Sequence, residues 1–183
     1  MAVKDDTIRD AKFNLREEVI NAGSKIYPKE EMERFKFCLQ CGKCTGGCPS
    51  GRRTNWRIRK IFEEVSLGQK EEVFSDEGLW MCTTCYTCQE RCPHGIHTTD
   101  MVRIIRNLAV KSGHMKEPHR KTCLTFFTYG HAVPINDEFR AVRKKLGMDE
   151  NPPTVQCNPE GLKEVLTIVE KTGFKKMVED VKK

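Results

Sequence analysis

Two runs of cysteines with the same spacing are the residues most suited to chemistry in this sequence. They comprise Cys38, Cys41, Cys44 and Cys48, followed by Pro49, and Cys82, Cys85, Cys88 and Cys92, followed by Pro93. In each run, two residues separate the first three cysteines and three residues precede the fourth. Three thiolates at such short spacing wrap one side of a four-iron cluster. The spacing therefore predicts two 4Fe-4S clusters.

The fourth cysteine of each run lies beyond the loop that carries the other three. In two-cluster ferredoxins with this spacing, the fourth cysteine binds the other cluster. We therefore expect one cluster to bind Cys38, Cys41, Cys44 and Cys92. We expect the other to bind Cys82, Cys85, Cys88 and Cys48. Each half of the pattern would then complete the site of the other half.

Zinc is the competing interpretation of the cysteines. Structural zinc usually takes two separated pairs of ligands, so the third closely spaced cysteine of each run would be redundant. The spacing therefore favours iron–sulfur clusters over a zinc-dependent nucleic-acid-binding module. No nucleophile, acid–base pair or glycine-rich phosphate loop stands out in the sequence. We accordingly predict no catalytic residue, and we expect the chain to conduct electrons.

Four further residues could bind or tune a metal centre, but the sequence favours ordinary roles for them. Cys123 and Cys157 have no partner at ligand spacing. His94 and His97 follow the second cysteine run and could donate hydrogen bonds to a cluster. The first run has no matching histidine, which favours a helix-entry or surface role for both. A basic run, Arg52, Arg53, Arg57 and Lys60, could steer a negative partner, although such runs are usually only solvated.

Composition and hydropathy predict a cytoplasmic protein. The first ten residues are polar and charged, and no run reaches the roughly 18 apolar residues of a membrane span. In a reducing compartment, closely spaced thiols bind metals more often than they form disulfides. The formal charge of +6 is partly a counter-charge for anionic clusters, so it is weak evidence for nucleic acid.

The cysteine runs belong to a longer internal repeat. Adding 44 to a residue number also relates Gly51 to Gly95, Thr54 to Thr98 and Arg59 to Arg103. Each half therefore reads as a cysteine loop followed by a helix. We expect Thr54 to cap the first of these helices, Thr98 or Thr99 to cap the second, and Gly68 and Gly113 to end them. The sequence shows almost no alternating strand pattern. We therefore predict a mainly α fold class, namely an α-helical ferredoxin with two repeated halves.

The sequence divides into three parts: an N-terminal helical arm over residues 1–30, a dicluster domain over 31–115 and a C-terminal helical extension over 116–183. The arm places Ile8, Ala11, Leu15 and Val19 on one helical face. That face could pack on its own domain or dock on a partner. In the extension, helices are predicted from about Asp137 and from about Pro159, and the charged tail after Phe174 is expected to fray.

Three stretches resemble the C subunit of heterodisulfide reductase, a family of the helical dicluster ferredoxin type. They read CLQCGKCTGGCPSGRRTNWRIRKI, LWMCTTCYTCQERCPHGIHTTD and GHAVPINDEFRAVRKKLGM. The resemblance covers residues 37–158. It implies an electron-relay subunit of an oxidoreductase with two 4Fe-4S clusters. No plant-like two-iron motif precedes Cys38, so the chain departs from the succinate dehydrogenase type.

The resemblance also implies partners. Such a subunit would carry electrons from the flavin-containing A subunit of heterodisulfide reductase to its B subunit, which reduces the coenzyme M–coenzyme B disulfide in methanogenesis. The paired-cysteine CCG motifs of that disulfide-reducing subunit do not occur here, which agrees with a relay. A hydrogenase or a formate dehydrogenase could complete the larger complex. The alternative is an electron-transfer subunit of another anaerobic oxidoreductase, acting on lactate, glycerol 3-phosphate or sulfur compounds.

Overall fold

A computed structural model describes residues 14–181 of the chain. Ile8 and Ala11 of the predicted N-terminal face lie outside the described residues. The chain divides into two compact units, of which the first ends at Ser112 and the second begins at Gly113. Over residues 14–181, the regular elements are all helices, with no strand. The predicted mainly α class is confirmed, and the three-part division stays a prediction.

The first unit contains seven described α-helices and two 3₁₀ helices. The α-helices are α1 (Asn14–Gly23), α2 (Lys29–Glu33), α3 (Lys43–Gly46), α4 (Ile58–Ser66), α5 (Lys70–Ser75), α6 (Thr87–Glu90) and α7 (Thr98–Lys111). The 3₁₀ helices are Arg34–Phe37 and Glu77–Met81, and each ends immediately before a cysteine run. The same order of 3₁₀ helix, cysteine loop, short helix and long helix therefore occurs twice.

The two cysteine loops share an unusual backbone conformation at equivalent positions. Gln40 and Thr84 have positive φ angles of 54° and 52°. Two residues further on, Gly42 and Tyr86 also have positive φ angles, of 78° and 62°. A non-glycine residue in this region costs about 1–2 kcal/mol, so the surrounding structure must hold it there. The internal repeat therefore extends to the turns that carry the cysteines.

The core of the first unit lies between α1, α4 and α7. Leu15, Val19 and Ile20 of α1 are at most 2% exposed, and α1 packs against α7. For its described part, the N-terminal helix thus packs on its own unit. The apolar faces of the long helices are buried as their periodicity predicts, through Ile58, Ile61, Phe62 and Val65 of α4 and Met101, Val102, Ile104 and Ile105 of α7.

The predicted threonine caps are wrong. Helix α4 begins after Arg57 and α7 begins after His97, and neither N-cap side chain makes a capping hydrogen bond. Thr54 Oγ1 instead accepts from the Trp56 N–H at 3.2 Å, before α4 begins. The hydroxyls of Thr98 and Thr99, the first two residues of α7, contact the sulfur of Cys88 instead. The predicted helix ends at Gly68 and Gly113 are confirmed, with φ angles of 74° and 85°.

The second unit contains the helices α8 (Glu117–Tyr129), α9 (Asp137–Lys145), α10 (Pro159–Lys171) and α11 (Phe174–Glu179), and the 3₁₀ helix Val155–Cys157. Asn136 and Asn158 cap α9 and α10 through their side-chain oxygens, which explains why both helices start where the sequence predicts. Among residues 14–181, no helix is long and apolar enough to cross a membrane.

The expectation of a frayed tail is wrong for the described residues. Helix α11 packs on α8 instead, with the Phe174 ring 5.5 Å from the Phe127 ring in an edge-on arrangement. Val178 is fully buried, and Arg120 Nε donates to its carbonyl oxygen at 3.1 Å. Although this segment is rich in charged residues, Phe174 and Val178 form an apolar face that packs on α8. The composition alone does not predict that face.

Candidate iron-sulfur centres

One cavity collects cysteines from both halves of the repeat. Cys38, Cys41 and Cys44 of the first run line it together with Cys92, the last cysteine of the second run. Burial raises the pKa of the Cys38 thiol, and the nearby Cys92 thiol raises it further. The four residues that the spacing assigns to one cluster thus lie around a common space, which we call the first centre.

The second centre is defined by thiols on the other side of the repeat. Burial raises the pKa of the Cys82 thiol, and the thiols of Cys88 and Cys48 contribute in the same direction. Cys48 of the first run thus lies beside two cysteines of the second run. Cys85 is exposed, and its Sγ lies 3.4 Å from Thr87 Oγ1. Hydrogen bonds from Thr87 lower the pKa of Cys85, which favours the thiolate that a metal requires.

The two centres approach each other through the third cysteine of each run. Burial raises the pKa of the Cys44 thiol, and Cys88 is among the neighbours that add to this. The inward side of the second centre is shielded from water, since Cys88 and Cys48 are each 8% exposed. The opposite side opens outward at Cys41 and Cys85, which are both exposed. The arrangement gives each centre an inner and an outer edge.

Hydrogen bonds to cysteine sulfur come from residues that the sequence analysis did not single out for this role. The Thr98 hydroxyl donates to Cys88 Sγ at 3.1 Å, and Thr99 Oγ1 lies 3.4 Å from the same sulfur. The Gly51 N–H donates to Cys48 Sγ at 3.3 Å. Such hydrogen bonds stabilise negative charge on sulfur and tune the potential of a bound cluster. The sequence predicted a helix cap for Thr98 and a place in the repeat for Gly51, but a bond to sulfur for neither.

The donor set fits a cluster better than a single ion. Across the described residues 14–181, no three His, Cys, Asp or Glu side chains converge closely enough to hold one metal ion. Zinc needs four ligands at about 2.0–2.3 Å. A four-iron cluster takes one thiolate per iron, so its sulfur ligands stand further apart around a larger group. Four thiols spread around one cavity match that requirement.

A buried carboxylate organises the loop of the second centre. Asp100 is 5% exposed, and it accepts hydrogen bonds from the hydroxyls of Tyr27 at 3.0 Å and Tyr86 at 3.2 Å. Gln89 Nε2 donates to its other oxygen at 3.3 Å, and Arg103 Nη1 lies 3.4 Å away. Burial acts to raise the pKa of Asp100, but these hydrogen bonds outweigh it and hold the pKa below its ordinary value. We call this group the Asp100 network.

The start of the second run is fixed by a partly buried arginine. Arg106 donates through Nε to the Leu79 carbonyl at 2.9 Å and through Nη2 to the Cys82 carbonyl at 2.8 Å. Burial lowers the pKa of its guanidinium. The equivalent residue of the first half is Phe62, which is buried against Phe35 at 4.7 Å between ring centroids. Sequence reasoning missed this difference between the halves.

Of the remaining predicted residues, the two histidines lie near the centres and the two cysteines lie in the second unit. His94 lines the first cavity, while His97 lies 3.5 Å from both Asp100 and Glu31. Cys123 is half-buried in α8 of the second unit. Cys157 is exposed there, and its thiol donates to the Pro152 carbonyl at 3.2 Å.

The fold and the paired thiol centres define a helical iron–sulfur protein with two clusters. A family model described as a 4Fe-4S dicluster domain matches residues 34–96. The chain is 46% identical to the iron–sulfur C subunit of the CoB–CoM heterodisulfide reductase of Methanopyrus kandleri, over 96% of this chain and 92% of the relative. It is 42% identical to the C 2 iron–sulfur subunit of that enzyme in Methanocaldococcus jannaschii, over 90% and 88%.

A third relative is the C subunit of the H2:CoB–CoM heterodisulfide,ferredoxin reductase of Methanothermobacter thermautotrophicus, 47% identical over 80% of this chain and 79% of the relative. The chain belongs to the family of heterodisulfide reductase C subunits, and the resemblance seen in the sequence is confirmed. The prediction of two 4Fe-4S clusters is confirmed as well. The protein is thus an electron-transfer subunit of an oxidoreductase complex.

Proposed function

We propose that this chain relays electrons from a flavin-containing subunit to a subunit that reduces the coenzyme M–coenzyme B heterodisulfide. These are the A and B subunits of heterodisulfide reductase, called here the flavin subunit and the disulfide-reducing subunit. The observation that carries the proposal is the shared cavity, in which Cys92 of the second run lies with three cysteines of the first. The interlocked halves support two centres held at a fixed separation. The relatives named as heterodisulfide reductase C subunits support the choice of substrate.

We assign Cys38, Cys41, Cys44 and Cys92 to one cluster and Cys82, Cys85, Cys88 and Cys48 to the other. When bound, each 4Fe-4S cluster supplies one-electron redox chemistry. The protein holds the thiolates, donates hydrogen bonds to sulfur through Thr98 and Gly51, and keeps water from the inner edge. Breaking the disulfide belongs to the disulfide-reducing subunit, so we propose no catalytic residue in this chain.

The cellular setting follows from the same proposal. We place the protein in the cytoplasm, in a complex with the flavin subunit, the disulfide-reducing subunit and, in the larger assembly, a hydrogenase or a formate dehydrogenase. The donor and the acceptor would then contact different parts of this chain. Nucleic acid and membrane have no role in the proposal.

The relay is tested with the anaerobically purified wild-type chain, the flavin subunit and the disulfide-reducing subunit. We expect about eight irons per chain. The reduced flavin subunit should bleach the visible absorbance of this chain, and the disulfide-reducing subunit with heterodisulfide should restore it. Bleaching without recovery in the presence of the disulfide-reducing subunit and heterodisulfide would contradict the proposed direction and substrate.

The ligand assignment is tested with paired substitutions. If Cys41 and Cys92 bind the same cluster, the double variant Cys41→Ala/Cys92→Ala should damage one centre and leave the other with about four irons. The double variant Cys41→Ala/Cys48→Ala should damage both centres. Cys123→Ala is the control and should retain all of the iron. Two damaged centres in the first variant and one in the second would overturn the crossover.

A further inference from the structure

His97 lies between two carboxylates beside the second centre. Its Nδ1 is 3.5 Å from Asp100 Oδ2, and its Nε2 is 3.5 Å from Glu31 Oε2. Nδ1 is buried, and within residues 14–181 it has no hydrogen-bond partner. Although His97 directly precedes α7, its side chain makes no capping hydrogen bond. The start of that helix therefore does not explain where the ring lies.

The surroundings of the ring match an imidazolium better than a neutral imidazole. A neutral imidazole donates from one nitrogen and accepts at the other, whereas an imidazolium donates from both nitrogens. A carboxylate can only accept. Neutral His97 would thus turn one lone pair toward a carboxylate oxygen, while protonated His97 would turn an N–H toward each. The side chain is 29% exposed, so a proton can reach it from solvent.

The charged groups around His97 come from its own helix and from two neighbouring elements. Glu31 belongs to α2, and Asp100 and Arg103 belong to α7. Arg103 Nη1 lies 3.4 Å from Asp100 Oδ1. Arg34 of the 3₁₀ helix Arg34–Phe37 comes close to the turn that leads to His97, but it is exposed and water screens its charge. Two carboxylates and one bound arginine leave one negative charge, which an imidazolium balances.

Two tyrosines complete the surroundings and remain neutral. The Tyr27 ring stands edge-on to the His97 ring, with 6.4 Å between centroids. The hydroxyls of Tyr27 and Tyr86 both donate to Asp100, whose pKa stays below its ordinary value as described above. Burial raises the pKa of Tyr27. Histidine is the side-chain type that gains and loses a proton near neutral pH, so His97 is the member of this group that can change its charge there.

A short path joins His97 to the second centre. The next residue in the chain, Thr98, donates to Cys88 Sγ at 3.1 Å. Asp100, on the other side of the ring, binds the hydroxyl of Tyr86 in the loop that carries Cys88. Cys88 is 8% exposed, so protein and not water fills this region. A negative charge added at the second centre is therefore only weakly screened at the ring.

The first half of the repeat does not reproduce this arrangement. Arg53 stands at the position equivalent to His97, and Trp56 stands at the position equivalent to Asp100. Arg53 is exposed, and an arginine keeps its charge at every pH at which proteins fold. A cysteine loop of this kind therefore does not require a histidine between carboxylates.

We propose that His97 is a proton-binding site linked to the second centre. An electron arriving at that centre adds one negative charge, and the neutral imidazole of His97 takes up one proton from solvent. When the electron leaves, the imidazolium returns that proton to solvent. Only the N–H bond of the ring forms and breaks. The inference rests on the two clusters and not on the choice of partner subunits in the proposed relay.

The test is a redox titration of the cluster-loaded chain, with soluble mediators, between about pH 5.5 and pH 9. Two midpoint potentials are measured at each pH, and the one that Thr98→Val shifts belongs to the second centre. Proton uptake on reduction is measured separately, with a pH indicator in weakly buffered solution. No partner subunit is present, so failure of the relay would leave these results unchanged.

In the wild type, the second-centre potential should fall over part of this range, by up to about 59 mV for each tenfold drop in proton concentration. His97→Asn should remove this slope and the matching proton uptake, and asparagine is well tolerated directly before a helix. His94→Asn is the control and should keep the slope, since His94 lines the cavity of the first centre. A purely structural role of His97 would instead shift the potential equally at every pH.

Glu31→Gln is a second variant, in which the histidine remains. Because a carboxylate no longer stabilises the imidazolium, the sloping range should move to lower pH, by about threefold or more in proton concentration. A wild-type potential that does not depend on pH would overturn the proposal, as would a slope that survives in His97→Asn or disappears in His94→Asn. If His97→Asn binds no clusters, Glu31→Gln decides, and an unchanged sloping range refutes the assignment.

Discussion

Replacing Asp100 by asparagine tests whether the Asp100 network holds the loop of the second centre. Asparagine has the same shape and keeps one oxygen that can accept from the hydroxyls of Tyr27 and Tyr86. It loses the charge, and its amide group replaces the oxygen that accepts from Gln89 Nε2 at 3.3 Å. Two donors then face each other. The loop residues Tyr86 and Gln89 both lose part of their support.

The magnitude follows from the hydrogen bonds that change. A hydrogen bond to a charged group contributes about 1.5–3 kcal/mol, and a neutral one about 0.5–1.5 kcal/mol. The two weakened tyrosine bonds account for about 2–3 kcal/mol and the lost Gln89 bond for about 1.5–3 kcal/mol, which together give about 3.5–6 kcal/mol. Arg103 adds little, because its side chain is 52% exposed and solvated. We therefore expect local opening of the second loop to become at least roughly 300-fold more frequent.

Hydrogen exchange on the cluster-loaded chain measures this opening, and the repeat supplies an internal control. Amides of residues 83–90 should exchange faster in Asp100→Asn, while those of residues 39–46 should keep their wild-type rates. The equivalent of Asp100 in the first half is Trp56, which is buried and makes no comparable network. Equal acceleration in both loops, or none in either, would refute the role assigned to Asp100.

Three further predictions concern the same unit. Because folding lowers the pKa of Asp100, its charge stabilises the fold fully above the unfolded pKa of about 4, and this stabilisation is lost as pH falls through the lower folded pKa. Amide exchange of residues 83–90 should therefore rise in that pH range in the wild type. It should not rise there in Asp100→Asn, which has no carboxylate to protonate. Thr98→Val should lower the potential of the second centre in a redox titration, by roughly 40 mV if the lost hydrogen bond contributes about 1 kcal/mol. Thr54→Val is its control, since Thr54 bonds the Ser50 carbonyl, and an equal shift would contradict the reasoning. Phe62→Ala should destabilise the first unit by about 3–5 kcal/mol in thermal unfolding followed by cluster absorbance, against little change for Phe139→Ala, which is 40% exposed.

The sequence predicted the features that depend on local pattern. Cysteine spacing determines which thiols a loop can present together, and helical periodicity determined the buried faces of α4 and α7. Glycine at 42 suits a positive φ angle, but nothing at Tyr86 indicates one. That backbone conformation depends on tertiary support, including the hydrogen bond from its hydroxyl to Asp100.

The missed features join residues that are distant in sequence or that have two competing uses. Tyr27 and Asp100 are 73 positions apart, and no periodic signal connects them. Thr98 was predicted to cap a helix, yet its hydroxyl donates to Cys88 Sγ. Either use satisfies the hydroxyl, and only the folded position of the sulfur decides between them. The sequence alone therefore does not decide whether a hydroxyl beside a metal-binding loop caps a helix or bonds to sulfur; the three-dimensional position of the loop does.

The repeat separates what binding a cluster requires from what can differ between the two centres. Both halves keep the four cysteines and the two positive φ angles, which together shape a cluster loop. They differ where the first half has Lys43, Trp56 and Phe62 and the second has Thr87, Asp100 and Arg106. Those substitutions change charge and exposure around each centre without changing its thiols. Two identical halves would offer the same surface twice, whereas the two centres of this chain differ in the charge and exposure around them.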